Sequence, residues 1–331
     1  MRSGVICAGH WIVDLVHDIE HWPRESDLVR ISSESRGIGG GAANVASALA
    51  RFKAGLEIWP VGAIGDDDYG AFVERECSRL SLSTDYLVSK PGAATGHTHV
   101  MSVSGQSRTF FYHGGGNDLF CAEDVSERLL NDAAAKIFYI GYPVLLASLD
   151  KVHPDGSTQA GALLARARAS GHLTCADLVS ADRPDFADCV RSMLPHLDVL
   201  VLNEIEAARA TERPLPQPGE EPSDDVLSAM AAELLASGVN RAVVIHCPQK
   251  ALWCDRNGSA IWARAEFLQP GQIVSLVGAG DAFCTGLIYG LHENWVPARC
   301  LALAHATARA SLKGATCAEA IPTLADLLDS L

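Results

Sequence analysis

LVGAGDAFCTGLIYG, residues 276–290, joins the short run Gly278-Ala279-Gly280 to a long apolar stretch with helical spacing. The spacing predicts a helix over residues 280–292. Small residues at a helix start leave several backbone N–H groups open and converging on one spot. The helix dipole adds positive potential there. Such a spot suits a phosphate. Asp281 stands at its mouth. A carboxylate in that place either complements the charge of the helix end or accepts the proton of an attacking hydroxyl.

A second glycine-rich stretch, RGIGGGAANVASALARF, covers residues 36–52. Gly37, Gly39 and Ala42 match the pattern GxGxxA, but a dinucleotide fingerprint follows a buried strand directly. Here the preceding residues, Ser32 to Arg36, are polar. The stretch therefore reads as a glycine run opening a helix at about Ala42. Three consecutive glycines, Gly39 to Gly41, let a ligand approach the backbone and the chain hinge there. Asn44, in the first turn, either offers a donor and an acceptor to a polyol or is simply solvated. No GxxxxGK[ST] occurs in the sequence, which excludes a P-loop kinase, and there is no HRD or DFG set.

Outward from these two stretches, short apolar runs alternate with helical patterns. Strands are predicted over residues 5–8, 56–61, 136–140, 173–176, 199–202 and 241–245. Helices are predicted over 42–51, 69–80, 157–170, 223–237, 280–292 and 297–312. That alternation argues for an α/β fold, a mainly parallel sheet covered on both faces. Residues 14–33 and about 87–113 break the rhythm. In the second, THVMSVSGQSRTFFY reads as two strands around Ser104-Gly105-Gln106-Ser107. Such an insertion builds a small lid sheet or a plain surface hairpin. Residues 213–223, rich in Pro and acidic side chains, read as a surface loop, so residues 1–331 are expected to form a single domain.

Hydrophobic residues make up 48% of the chain and charged residues 20%, enough apolar material for a large core. The formal charge is −14, an acidic balance that disfavours nucleic acid and anionic membrane partners. There is no run of 18 or more apolar residues and the start of the chain does not read as a signal peptide, so a cytoplasmic location is expected. Ten scattered cysteines without a CxxC pair read as reduced, small core residues.

Taken together, five motifs in order resemble the ribokinase/PfkB family of carbohydrate kinases. They are GHWIVD (residues 9–14), GGGAANVA (39–46), GAIGDDDYG (62–70), NEIE (203–206) and GAGDAF (278–283). The resemblance implies a ribokinase-like three-layer sandwich with a small β-sheet lid, ATP with Mg²⁺ as phosphoryl donor and an alcohol as acceptor. Asp281 would be the general base, and the amides of Gly278, Ala279 and Gly280 the anion hole. Asp14, Gly40, Gly41 and Asn44 would hold a sugar or related polyol. Asn203 and Glu206 would organise Mg²⁺ through water, and Asn203 would lie near the phosphates. His246 and Lys250, in the HCPQKA stretch that stands for the family's nucleotide loop, would contact ATP with Gly278 and Gly280. His305 would lie near the adenine or be an ordinary helical residue, and His97, His99 and His113 are candidate lid contacts. The lid is also a candidate homodimer surface. Ser275-Leu276 replace the Asp-Thr with which relatives help build a monovalent-cation site. Cation activation is therefore not expected, with Leu276 and Val277 ordering the loop by packing. A nucleoside or sugar-phosphate kinase is the alternative, with Arg36 and Arg108 as a phosphate clamp, and a non-catalytic sugar or nucleotide binder is a third reading.

Overall fold

Period-two alternation builds the centre of the molecule. In each inner strand successive side chains leave on opposite faces. Val5 and Cys7 join one core cluster and Ile6 and Ala8 the other. Ile137 and Tyr139 are divided from Phe138 and Ile140 in the same way, and Val199 and Val201 from Leu200 and Leu202. Both sets are buried, as expected of a sheet covered on both sides. The computed structural model describes residues 2–103, 108–216, 220–329 and 331.

The strands among the described residues are β1 Val5–Gly9, β2 Ile12–Ile19, β3 Ile31–Gly39, β4 Ile58–Gly65, β5 Leu87–Lys90, β6 His97–Val103, β7 Thr109–His113, β8 Ile137–Gly141, β9 Leu173–Asp177, β10 Val199–Asn203, β11 Ala242–His246, β12 Lys250–Asp255 and β13 Ala260–Arg264. The α-helices are α1 Gly41–Arg51, α2 Asp68–Arg79, α3 Glu127–Asp132, α4 Gln159–Ala169, α5 Phe186–Met193, α6 Glu204–Ala210, α7 Asp224–Ala236, α8 Ala279–His292, α9 Pro297–Ser311 and α10 Leu324–Leu328.

Nine strands form the large sheet in the order β13-β12-β11-β10-β9-β8-β1-β4-β5. From β5 to β11 all neighbours are parallel, and β12 and β13 close the far edge antiparallel. Helices α1, α2, α8 and α9 pack on one face, and α3 to α7 on the other. Parallel strands bring their C-terminal ends to a common edge, where open α/β sheets place their sites. Among the described residues no helix is long and apolar enough to cross a membrane.

The second sheet has the order β3-β2-β6-β7. Its boundaries differ from the sequence expectation of 14–33 and 87–113. The first strand pair starts at Ile12 and runs to Gly39. The polar run Ser32 to Arg36 is itself a strand, exposed rather than buried. Leu87–Lys90 pairs with Gly62–Gly65 in the large sheet instead. Its few half-buried residues carry too short a pattern to show which sheet they extend. The turn expected at Ser104 to Ser107 lies outside the described residues. The β12–β13 hairpin, which turns at Asp255 to Gly258, was legible in principle from the Asn257-Gly258 pair between two apolar runs.

Candidate active site

Helix α8 starts from Gly278, whose φ of 76° is left-handed. A Cβ there would also lie 2.4 Å from Cys317 Cβ, so only glycine fits this helix entry. Asp281, in the first turn, is 1% exposed. Its Oδ2 accepts two hydrogen bonds, from Asn44 Nδ2 and from the Tyr142 hydroxyl, each at 2.8 Å. Its Oδ1 has no hydrogen-bond partner among the described residues. Burial pushes this carboxyl up to about 7, helped by the charge of Asp14 and opposed by the bonds from Tyr142 and Asn44. The first N–H groups of a helix have no intrahelical partner. At Ala279 the N–H turns back to the Leu276 carbonyl in a weak 3.4 Å contact.

Helix α1 begins beside it. Its N-cap, Gly40, has φ 93°, and a Cβ there would meet the His10 carbonyl at 2.5 Å. Asn44 is one turn in, with its amide directed to Asp281. Asp14 on β2 lies opposite Gly37 of β3 and Thr98 of β6. Burial raises its carboxyl to about 6, opposed by the Thr98 hydroxyl and the Arg108 charge. Arg108 donates to Ser275 Oγ at 2.9 Å, and Ser275 Oγ also accepts the Val277 N–H at 3.0 Å. Leu276 is 69% exposed, so the loop is tied by Ser275 and not by Leu276 packing as expected. The Arg36–Arg108 clamp that the alternative sugar-phosphate reading would need does not form. Arg36 lies one register position from Gly37, on the other face of the small sheet, with its guanidinium 4.6 Å from the Phe72 ring centre.

The lid histidines follow the same alternation. His97 and His99 flank Thr98 and therefore face away from Asp14. His97 packs against His113, and His99 stacks on His17. On the inner face, Tyr112 of β7 hydrogen-bonds His10 at 2.6 Å. The His10 ring also lies 6.0 Å from that of Tyr142. Burial pushes His10 down to about 3, so its imidazole is neutral.

At the end of β10, Asn203 caps α6. Its side chain accepts the N–H groups of Ile205 and Glu206 and donates to Glu206 Oε1 at 2.7 Å. The Asn203 N–H donates to Glu206 Oε2 and the Ser180 hydroxyl to Oε1, both at 2.9 Å. Burial raises the Glu206 carboxyl to about 7, against the bonds from Asn203 and Ser180 and with the charges of Glu204 and Asp281. Asp177, buried at the end of β9, is raised well above its usual range by burial and by the charges of Asp281 and Glu206. No cluster of three or more His, Cys, Asp or Glu side chains suited to direct metal ligation occurs among the described residues. Crowded carboxylates with saturated or orphaned oxygens fit a divalent cation held through water better than one held by a protein cage.

His246 ends β11 with its ring against Phe283 and within 3.4 Å of the Cβ position of Gly280. His305 packs on the Phe283 ring too, beside a cavity of about 180 Å³ that includes Ala263, Ala302 and Arg309. Lys250 does not join them. Its ammonium is held by Asp224 at 2.7 Å and the Pro222 carbonyl at 2.9 Å, captured by the acidic start of α7. Tyr142, His10, Tyr112 and Asp177 are not singled out by sequence alone. Only Asp177 carried a signal, as a carboxylate ending a predicted parallel strand.

The chain is similar to known kinases. A fructokinase of Klebsiella pneumoniae is 28% identical over 282 residues, covering 84% of each chain. A 5-dehydro-2-deoxygluconokinase of Geobacillus kaustophilus is 24% identical, covering 97% of this chain and 91% of its own. The structure of Arabidopsis thaliana ribokinase complexed with ribose and ATP superposes with a TM-score of 0.78 at 21% identity, covering 99% and 98% of the two chains, which establishes the ribokinase fold. The model of the pfkB family carbohydrate kinases matches residues 2–324. The chain therefore belongs to the pfkB family of carbohydrate kinases, phosphotransferases whose acceptor is a hydroxyl group.

Proposed function

We propose that the protein transfers the γ-phosphoryl group of ATP to a hydroxyl of a small carbohydrate, with Asp281 as general base. The observation that carries this reading is the Asp281 carboxyl itself. It is buried at the start of α8, anchored through Oδ2, open at Oδ1 and pushed near neutrality. A base with a proton affinity near the working pH is well matched to proton transfer. Oδ1 takes the acceptor's proton as its oxygen forms the new bond to the γ-phosphorus. The bond to the bridging oxygen breaks, and its electron pair leaves with ADP. The amides of Gly278, Ala279 and Gly280 supply the anion hole for the charge that develops, Ala279 by giving up its weak contact with the Leu276 carbonyl, and positioning of this kind carries most of phosphoryl-transfer catalysis. Asp14, Gly40, Gly41 and Asn44 hold the acceptor, Asn44 partly through its bond to Asp281.

Asn203 and Glu206 would hold Mg²⁺ through water; when bound, it neutralises phosphate charge. His246 and the open face of Gly280 line the nucleotide side, with His305 near the base. Arg36 lies on the far face of the small sheet, so Arg36 and Arg108 do not clamp a sugar phosphate together, which favours a neutral sugar. Exposed Phe110 and Phe111 on edge strand β7 support pairing of two copies through the small sheet. ADP release, measured across sugars, sugar acids, sugar phosphates and nucleosides, tests the assignment. Turnover of nucleosides alone, or of nothing in the panel, would overturn it.

A further inference from the structure

The two oxygens of Asp281 are in different situations, and Tyr142 makes them so. Tyr142 follows the last residue of β8. Its φ of 60° is one that a non-glycine residue rarely adopts. The conformation is held by the Tyr142 N–H, which donates to the Asp177 carbonyl at 2.9 Å. It is also held by α1: a Cβ at Gly41 would lie 2.7 Å from the Tyr142 ring. The strained backbone aims the phenol at Asp281 Oδ2, at 2.8 Å. Burial and the nearby charges of Asp281 and Asp177 raise the phenol well above its usual range, so it stays a donor.

Resting on the reading of Asp281 as the base, we infer that Tyr142 is a positioning residue for the proton transfer. Its hydroxyl, with Asn44, occupies Oδ2 and leaves Oδ1 as the oxygen that takes the acceptor's proton. Without that hydroxyl the carboxyl keeps only the Asn44 bond and can rotate, so either oxygen can turn from the acceptor. The same loss disfavours the ionised carboxylate, because a hydrogen bond to a charged group stabilises the charged form. Other groups facing Asp281 are Asp14 from β2, Asp177 from β9, Glu206 from α6, Tyr139 from β8, Cys284 from α8 and Cys317. All of them are still present when only the hydroxyl of Tyr142 is removed, and of these Tyr139 is the one on which Tyr142 itself acts.

The test is Tyr142→Phe, which keeps the ring and its contact with Gly41. Turnover at neutral pH should fall about ten- to hundredfold, the scale of one bond to a charged group. The acid limb of the kcat profile should move to higher pH, so the deficit narrows at alkaline pH, while the KM for ATP stays put. Site-specific 3-fluorotyrosine at position 142, a stronger donor of nearly the same shape, should move the limb the other way. A ring with only a packing role would leave both profiles on that of the wild type, and that result overturns the inference. So does a loss in Tyr142→Phe that is equal at every pH. Asp281→Asn, run in parallel, separates the two readings. If it keeps turnover, the base is wrong. If it is inactive while both Tyr142 variants match the wild type, only the role of Tyr142 is wrong.

Discussion

Replacing Asp281 with Asn is expected to move chemistry and stability in opposite directions. The substitution keeps the shape and one oxygen, which can still accept from Asn44 and Tyr142. It removes the base, and loss of a general base costs about 10²–10⁴-fold in rate. Stability should rise. The Asp281 carboxyl goes from 3.8 when unfolded to about 7 when folded, chiefly through burial. At about 1.4 kcal/mol per tenfold change in proton affinity, its ionised form costs about 4 kcal/mol. The sign follows from proton binding. Between pH 3.8 and about 7 the folded chain binds the proton more tightly than the unfolded chain. This group's contribution to stability therefore falls as pH rises through that window and then levels off. Asn escapes that loss but buries an NH₂ where Oδ1 had no partner, at about 1–3 kcal/mol. The net gain is about 1–3 kcal/mol, a rise of a few degrees in Tm at pH 7.5. The assay pairs ADP release with thermal melts from pH 5 to 8, and the Tm gap between variant and wild type should shrink toward pH 5. A variant with at least half of wild-type turnover would refute the base, and a Tm gap that is negative or flat across this range would refute the buried-charge reasoning.

Three further outcomes are expected. Glu206→Gln should raise the Mg²⁺ concentration for half-maximal rate severalfold. Mg²⁺ titrations that overlay the wild type would remove Glu206 from the metal site. Asp14→Ala should weaken acceptor affinity about ten- to hundredfold, the loss of one charge-assisted hydrogen bond, with ATP affinity unchanged; the reverse pattern would displace Asp14 from the acceptor side. Turnover in alkali-free buffer should match that with KCl at equal ionic strength. The Ser275 hydroxyl oxygen already accepts from Arg108 and the Val277 N–H, and Leu276 adds no side-chain oxygen. A K⁺-specific rise above about fivefold, roughly 1 kcal/mol of barrier, would show that a working cation site exists.

What could be read from the sequence was whatever is written locally. The inner strands announced themselves by period two and the long helices by their apolar stripes, so β1, β8 to β11, α1, α7, α8 and α9 lie within a few residues of expectation. The glycine motifs were legible for a related reason: Gly40 and Gly278 sit at left-handed helix entries that few other residues adopt. Contacts across the fold were not legible. Nothing around Arg108 shows that it meets Ser275, 167 residues away, or that Tyr142 reaches Asp281 across 139. Lys250 shows the same limit from the other side, because a lysine near a nucleotide loop looks unpaired in the sequence while α7 brings Asp224 to it. The alternation rule then sorts what motifs alone could not, sending Asp14, Thr98 and Tyr112 inward and Arg36, His97 and His99 outward. Local propensity is overruled at Tyr142, a bulky residue in a left-handed turn. A fold tolerates such strain where other contacts over-determine it, and here those contacts come from β9, α1 and the carboxylate at the head of α8. A position where the sequence is at odds with its own backbone is thus one that connects the sheet to the proposed base.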